Sequence, residues 1–177
     1  MRWLGWLTNL TLRGFIGFVL ADALRRPEDQ RYAGKGIGTR GLVMLPASLL
    51  VPSMRRAREV RGRYPVWTDD LYLSIFALDL AGNFLGLYDR YTHFDVIPHL
   101  HGTGAATWVV AELFELPALS AVGVAQLTHI CLEAQEYYSD VLFGLHNVRG
   151  TWDTVGDLLA GAVGSAAYAG LRRLIRG

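Results

Sequence analysis

The sequence predicts an all-α protein, a polytopic transmembrane helical bundle of about six spans, of which the first is either a true span or an interfacial anchor. Three observations predict it. Of the 177 residues, 51% are apolar before the twenty Gly are counted, mean hydropathy is positive at +0.23, and apolar stretches of span length recur with short polar links between them. A helix needs roughly 17–25 residues to cross a bilayer, so this length suits one compact unit of six short spans and leaves no room for a second full domain. Hydropathy this low for such a protein keeps a soluble all-α bundle as the competing class.

The first span covers residues 3–24, with Trp3 and Trp6 as interfacial anchors. Arg2, the apolar run and Ala21, Asp22 and Ala23 imitate a signal peptide, but Arg13 interrupts the run, so the segment reads as an uncleaved helix. A basic loop with Arg25, Arg26 and Arg31 leads to a second span over 36–54, kinked by Pro46 and Pro52. Arg55, Arg56, Arg58, Arg61 and Arg63 follow, opposed only by Glu59. Residues 1–65 are thus an N-terminal unit of membrane helices and an Arg-rich loop.

Residues 66–177 form an acidic, histidine-bearing four-helix membrane core. Its third span runs over 67–88, with Asp69 and Asp70 expected to cap it through the positive end of the helix dipole. The fourth covers 94–114 and the fifth 118–140, separated by a turn at Glu115 and Pro117. After a Gly-containing loop, Thr151 is the expected N-cap of the sixth, over 151–175, where Gly161 and Ser165 fit the small-xxx-small pattern of close helix contact. Counting Lys and Arg near span ends places nine on the side of Arg2 and the C-terminal Arg172, Arg173 and Arg176, against seven on the other, once Arg13 is excluded. The positive-inside rule makes the first side cytoplasmic, with both termini on it. No internal repeat is visible, which argues against an inverted-repeat transporter.

Between Asp69 and Asp157 stand twelve Asp or Glu, all five His and only two cations, Arg90 and Arg149. Each charge held at the centre of a bilayer costs about 2.5–3.5 kcal/mol on insertion scales, so this arrangement is the main functional clue. His129, Glu133, Glu136 and Asp140, spaced four, three and four apart, share one helix face. Asp153 and Asp157 share a face one turn apart, as do Asp95 and His99, with Glu112 further along, and Asp79 and Asn83. Four such stripes predict one shared interior site.

Carboxylates with imidazoles suit one or two divalent metal ions whose identity stays open, since imidazole favours Zn and Fe while carboxylate favours Mg, Ca and Mn. The pair Glu133 and Glu136 is similar in spacing to the inward pairs of carboxylate-bridged dimetal bundles, without their Glu-x-x-His. The expected ligands are His99, Glu133, Glu136, Asp153 and Asp157. Asp79, Glu112 and His129 are the candidates for acid/base work, and Asp95, Asn83, Arg90 and Asp140 for supporting the ligands. The competing reading is that these acids only hydrogen-bond helices together. His99 and His101 lie about 200° apart around a helix, so both can ligate one metal only if the segment is irregular there, and the competing reading of either is a packing histidine or one that supports a ligand. His93 and His146 are expected at the surface, and the single Cys131, which excludes an internal disulfide, in the core. Zinc-finger spacing, a basic aromatic-laced helix, a nucleophile elbow and a phosphate loop are all missing, which removes nucleic acid as a partner.

One set of motifs is familiar. Asp79, Tyr88-x-Arg90, Asp95 followed by His99, Glu133-x-x-Glu136 and Asn147-x-x-Gly150-Thr151-Trp152-Asp153-Thr154-x-x-Asp157 stand in order along the chain. Over residues 79–164 the sequence resembles the bacterial inner-membrane family typified by YjdF-like proteins. The resemblance implies a multi-pass protein of the bacterial cytoplasmic membrane whose acids and histidines share a site, and it carries no established activity. His101 and His129 depart from the family pattern, and the first 65 residues lie outside it. The expected function is a metal-dependent membrane enzyme acting on a lipid or lipid-linked substrate, with the bilayer as its other partner. A proton- or ion-coupled transporter and a non-catalytic membrane scaffold or assembly factor are the alternatives.

Overall fold

The computed structural model describes residues 2–58 and 63–176. Glu59 and Arg61 of the basic run lie outside the described residues. Within them the only regular secondary structure is helical: α1 (Arg2–Arg25), α2 (Ile37–Ala47), α3 (Leu50–Ala57), α4 (Val66–Phe84), α5 (Leu87–Arg90), α6 (Val96–Leu113), α7 (Ala118–Phe143) and α8 (Thr151–Arg176). The all-α class therefore holds. Among the described residues one helix, Trp3–Arg25, is long and apolar enough to cross a membrane by length and composition.

The polar links fall into two groups at opposite ends of the fold. At one end Lys35 pairs with Asp89 at 2.8 Å, the His146 amide donates to Gly34 O at 3.0 Å, and Arg149 donates to Thr92 O at 2.6 Å. At the other, Arg58 donates to Leu113 O at 2.6 Å and Arg172 lies 3.7 Å from Glu112. The long helices alternate in direction between these ends, with α2 and α3 together making one passage.

That passage is broken where the sequence predicts one kinked span. Pro46 has no amide to continue the ladder, α2 stops at Ala47, and α3 restarts at Leu50 with Pro52 in its first turn, where a missing N–H is tolerated. The carbonyl freed at Ser48 accepts from Arg13 Nη1 of α1 at 2.9 Å. The predicted third span is also interrupted, because α4 ends at Phe84 and Gly86, at φ 64, turns the chain into α5.

Asp69 and Asp70 are not caps. Pro65 holds the cap position of α4, and both acids face α1, exposed by only 0% and 5%. Asp69 Oδ2 accepts from Arg13 Nη2 at 2.7 Å, Asn9 Nδ2 at 2.8 Å and the Tyr64 hydroxyl at 2.8 Å, and the same Asn9 amide reaches Asp70 Oδ1 at 2.8 Å. A charge-assisted contact inside the bundle outweighs the partial charge of a helix end. Beside this polar layer, Ile16, Val19, Leu20, Tyr32, Ile37, Leu73 and Leu80 form the apolar core of α1, α2 and α4.

The α6, α7 and α8 half packs on small residues. A Cβ on Gly164 would collide with the Leu100 carbonyl, and one on Gly104 would stand 2.8 Å from Gly164 O, so α6 and α8 touch backbone to backbone. Thr107 and Gln126 both donate to the buried Ser165 hydroxyl, at 2.9 and 3.0 Å. Large apolar side chains point outward instead, Leu119 of α7 at 82% exposure and Leu174 of α8 at 84% among them. Cys131 is exposed as well, against expectation, because it lies about 200° around α7 from both His129 and Glu133, which take the inward face. Thr151 is the first helical residue of α8, and the carbonyl receiving the first amides, Asp153 N at 3.1 Å and Thr154 N at 3.3 Å, belongs to Gly150.

Candidate metal centre

Three ligand atoms from two helices converge at one point. His99 Nδ1 of α6 lies 2.8 Å from His129 Nε2 of α7, and Glu133 Oε1 lies 3.3 Å from that Nε2 and 3.5 Å from His99 Nδ1. His129 and Glu133 are an i, i+4 pair, so one turn of α7 stacks both on the face that meets α6. The imidazoles lie nearly parallel, centroids 5.0 Å apart. These separations define a point about 2 Å from all three atoms, the bond length of Zn to imidazole nitrogen or carboxylate oxygen.

The remaining ring nitrogens are also oriented. His129 Nδ1 lies 3.1 Å from Thr103 Oγ1, and if it donates to that hydroxyl its Nε2 lone pair is turned toward the triad. His99 Nε2 faces Asp157 Oδ1 of α8 at 3.7 Å, placing a carboxylate behind the imidazole as metal-bound histidines usually have. Gly161 lets α8 come this close, since a Cβ there would strike His129 Nδ1 and stand 2.8 Å from Thr103 Oγ1.

Glu133 is 6% exposed, its Oε1 accepts no hydrogen bond, and among the described residues neither it nor Asp157 pairs with a Lys or Arg. An unpaired carboxylate buried in an apolar bundle is costly, so an arrangement that keeps one beside two imidazoles needs a cation or a proton there.

A second acidic group adjoins the first. Asp95, Asp153 and Asp157 each offer a carboxylate oxygen, and the three lie within 4.8 Å of one another. Asp95 Oδ1 accepts the Val96 amide at 2.9 Å, Asp95 Oδ2 accepts Arg149 Nη1 at 3.0 Å, and Asp153 Oδ2 accepts the Arg149 amide at 3.0 Å.

The other expected site residues go elsewhere. Glu136 leaves the ligand stripe for Arg40 Nη2 at 3.0 Å, because the first turn of α2 brings that guanidinium between α4 and α7. Asp79 joins the same group, accepting the Tyr88 hydroxyl at 2.8 Å with Arg40 Nη1 3.8 Å away. Asn83 donates to Asp79 O at 3.0 Å inside α4. Asp140 closes the following loop, accepting the Asn147 and Val148 amides at 2.8 Å each. Glu112 sits roughly 20 Å along α6 from His99, at 1.5 Å per residue, and lies beside Arg172. Arg90 is exposed at the end of α5, and Arg149 takes the place beside Asp95. His101 packs between Ser74 Oγ at 2.8 Å and the Tyr168 hydroxyl at 2.7 Å, while His93 and His146 are exposed.

Sequence reasoning missed Arg40, Arg13 and Thr103. The two arginines had a signal of their own, since each interrupts or adjoins an apolar run of span length, and a cation there implies a buried acid opposite. A Thr within an apolar helix carries no such mark. Comparison with protein-family models, with curated proteins and with solved structures found no match for this chain.

Proposed function

We propose that this is a multi-pass protein of the bacterial cytoplasmic membrane, of the YjdF-like type, in which His99, His129 and Glu133 bind a divalent metal ion. In this reading it is an enzyme acting on a lipid or lipid-linked substrate. The observation that carries the metal is the Glu133 carboxylate, buried, unpaired and within 3.5 Å of two imidazole nitrogens. Support for the membrane comes from the outward side chains, with Leu119 82%, Leu42 77% and Leu174 84% exposed while the polar Ser165, Thr107 and Asp69 are at most 1% exposed. By the positive-inside count, the centre lies toward the non-cytoplasmic end, beneath the links 85–95 and 144–150.

Held by His99, His129 and Glu133, a divalent metal would supply Lewis-acid polarisation of a carbonyl or phosphoryl oxygen and would acidify a bound water. This chain's own part is to set that geometry. Thr103 fixes His129, Asp157 backs His99 and is the carboxylate placed to take up a proton from it, and Gly161 keeps α8 close enough for both. The proton- or ion-coupled transporter is the second reading, favoured by one observation: 2.8 Å between ring nitrogens also suits a shared proton.

Elemental analysis of the purified wild-type chain beside Glu133→Gln, His129→Gln and Glu136→Gln separates them. The metal reading expects an imidazole-preferring metal such as Zn or Fe in the wild type and in Glu136→Gln, and loss of most of it in the other two. Negligible metal throughout, with substrate flux driven by a pH gradient in proteoliposomes, replaces the enzyme with the transporter.

A further inference from the structure

We infer a second cation site, for a hard divalent ion such as Mg2+, Mn2+ or Ca2+, formed by Asp95, Asp153 and Asp157 where α6 and α8 begin. It goes beyond the His99, His129 and Glu133 centre and stands whether or not that centre binds metal. One oxygen from each carboxylate lies within 4.8 Å of the others, the spread expected when oxygen ligands surround an ion at about 2.0–2.6 Å.

Asp157 supplies the independent sign of a ligand. It is 6% exposed and accepts no hydrogen bond from any described residue, and His99 Nε2, which it faces, stands 3.7 Å away, too far for one. A carboxylate that buried, with two more beside it, needs positive charge close by. Arg149 provides one unit only, through Nη1 on Asp95 at 3.0 Å, while its contact with Asp153 is an uncharged backbone amide. Three carboxylates against one guanidinium leave two negative charges, and one divalent ion balances them.

The site is also preorganised. Asp95 is fixed by the Val96 amide and Asp153 by the Arg149 amide, each at a helix start. All-oxygen donors with no sulfur and at most the edge of one imidazole select hard ions over Zn or Cu. Asp157 also faces His99 Nε2 at 3.7 Å, so it stands between the two centres.

The test is Mn2+ titration of the full-length chain in detergent, stripped with EDTA, with free Mn2+ read by electron paramagnetic resonance. In Glu133→Gln and in the His129→Gln, Glu133→Gln double variant, where the histidine centre is removed, about one equivalent is expected to bind and to be displaced by Mg2+ or Ca2+. Asp153→Asn, which keeps an acceptor for the Arg149 amide, is expected to weaken binding by about tenfold or more. Helical circular dichroism and a single size-exclusion peak establish that it folds. If it does not fold, the double variant decides alone: bound Mn2+ upholds the site and its absence overturns it. Unchanged Mn2+ affinity in folded Asp153→Asn overturns it too, as does binding lost with Glu133, which would move the ion to the histidine centre.

Discussion

Replacing Glu133 by Gln distinguishes a metal ligand from a carboxylate that serves only as a partner for a protonated histidine. Glu133 is 6% exposed and pairs with no Lys or Arg among the described residues. Without metal and with neutral imidazoles, its charge is uncompensated, and the effective penalty for a buried ion is several kcal/mol. The isosteric amide removes that charge, so metal-free Glu133→Gln is expected to be as stable as the wild type or more stable, by on the order of 1–3 kcal/mol. Added metal reverses the ranking. At a hundred times Kd, a ligand that binds only the folded state stabilises it by about 2.7 kcal/mol. For a chain of this size each kcal/mol moves the melting midpoint by about 2–4 °C, so the wild type gains roughly 5–11 °C and the variant far less. Melting by intrinsic Trp fluorescence in detergent, with EDTA and then with Zn2+, which the imidazole-bearing centre prefers over the all-carboxylate site, reads both effects. A metal-free variant that melts well below the wild type, or an equal metal shift in both proteins, refutes the reasoning.

The rest of the polar interior gives further expectations. Arg40→Met strips the counter-charge from Asp79 and Glu136, whose side chains are only 21% and 23% exposed, and is expected to destabilise by about 3–5 kcal/mol in denaturant titration. Adding Asp79→Asn and Glu136→Gln should restore most of that loss. Gly164→Ala drives a methyl into the Leu100 carbonyl and is expected to lower stability by about 1–3 kcal/mol or more, whereas Gly170→Ala, with nothing within 4 Å, should be neutral or better in the same titration. Cys131, exposed on the outer face of α7, is expected to resist a membrane-impermeant maleimide in sealed vesicles and to react in detergent. With Cys131→Ser as background, His146→Cys and Arg56→Cys should label from opposite sides of the membrane, and labelling from one side alone contradicts the alternating passage.

Much of the fold was legible because its signal is local. Apolar run length fixed four of the long helices to within a few residues, and Gly161 and Ser165 marked the face where α8 meets its neighbours. The breaks at Ser48 and Leu85 were harder, since Pro46 and Gly86 signal a bend but not whether the helix resumes its course. At the site, periodicity placed His129, Glu133, Glu136 and Asp140 on one stripe, yet a stripe is not a site. Their partners come from helices far away in sequence: His99 for His129 and Glu133, Arg40 for Glu136, the loop amides of Asn147 and Val148 for Asp140. The acidic segment looked short of cations when counted along the chain. Arg13, Arg40 and Arg172 reach into it from outside, and what stays without a Lys or Arg partner beside the histidines narrows to Glu133 and Asp157.

X-ray absorption at the edge of the bound metal tests the central claim most directly, on the full chain loaded with one equivalent of Zn2+. The expected result is a shell of nitrogen and oxygen at about 2.0–2.1 Å with the outer-shell scattering of two imidazoles, one of which is lost in His129→Gln loaded at a Zn2+ concentration high enough to offset its weaker binding. An all-oxygen shell, or imidazole scattering unchanged by removing His129, contradicts a centre built on His99, His129 and Glu133.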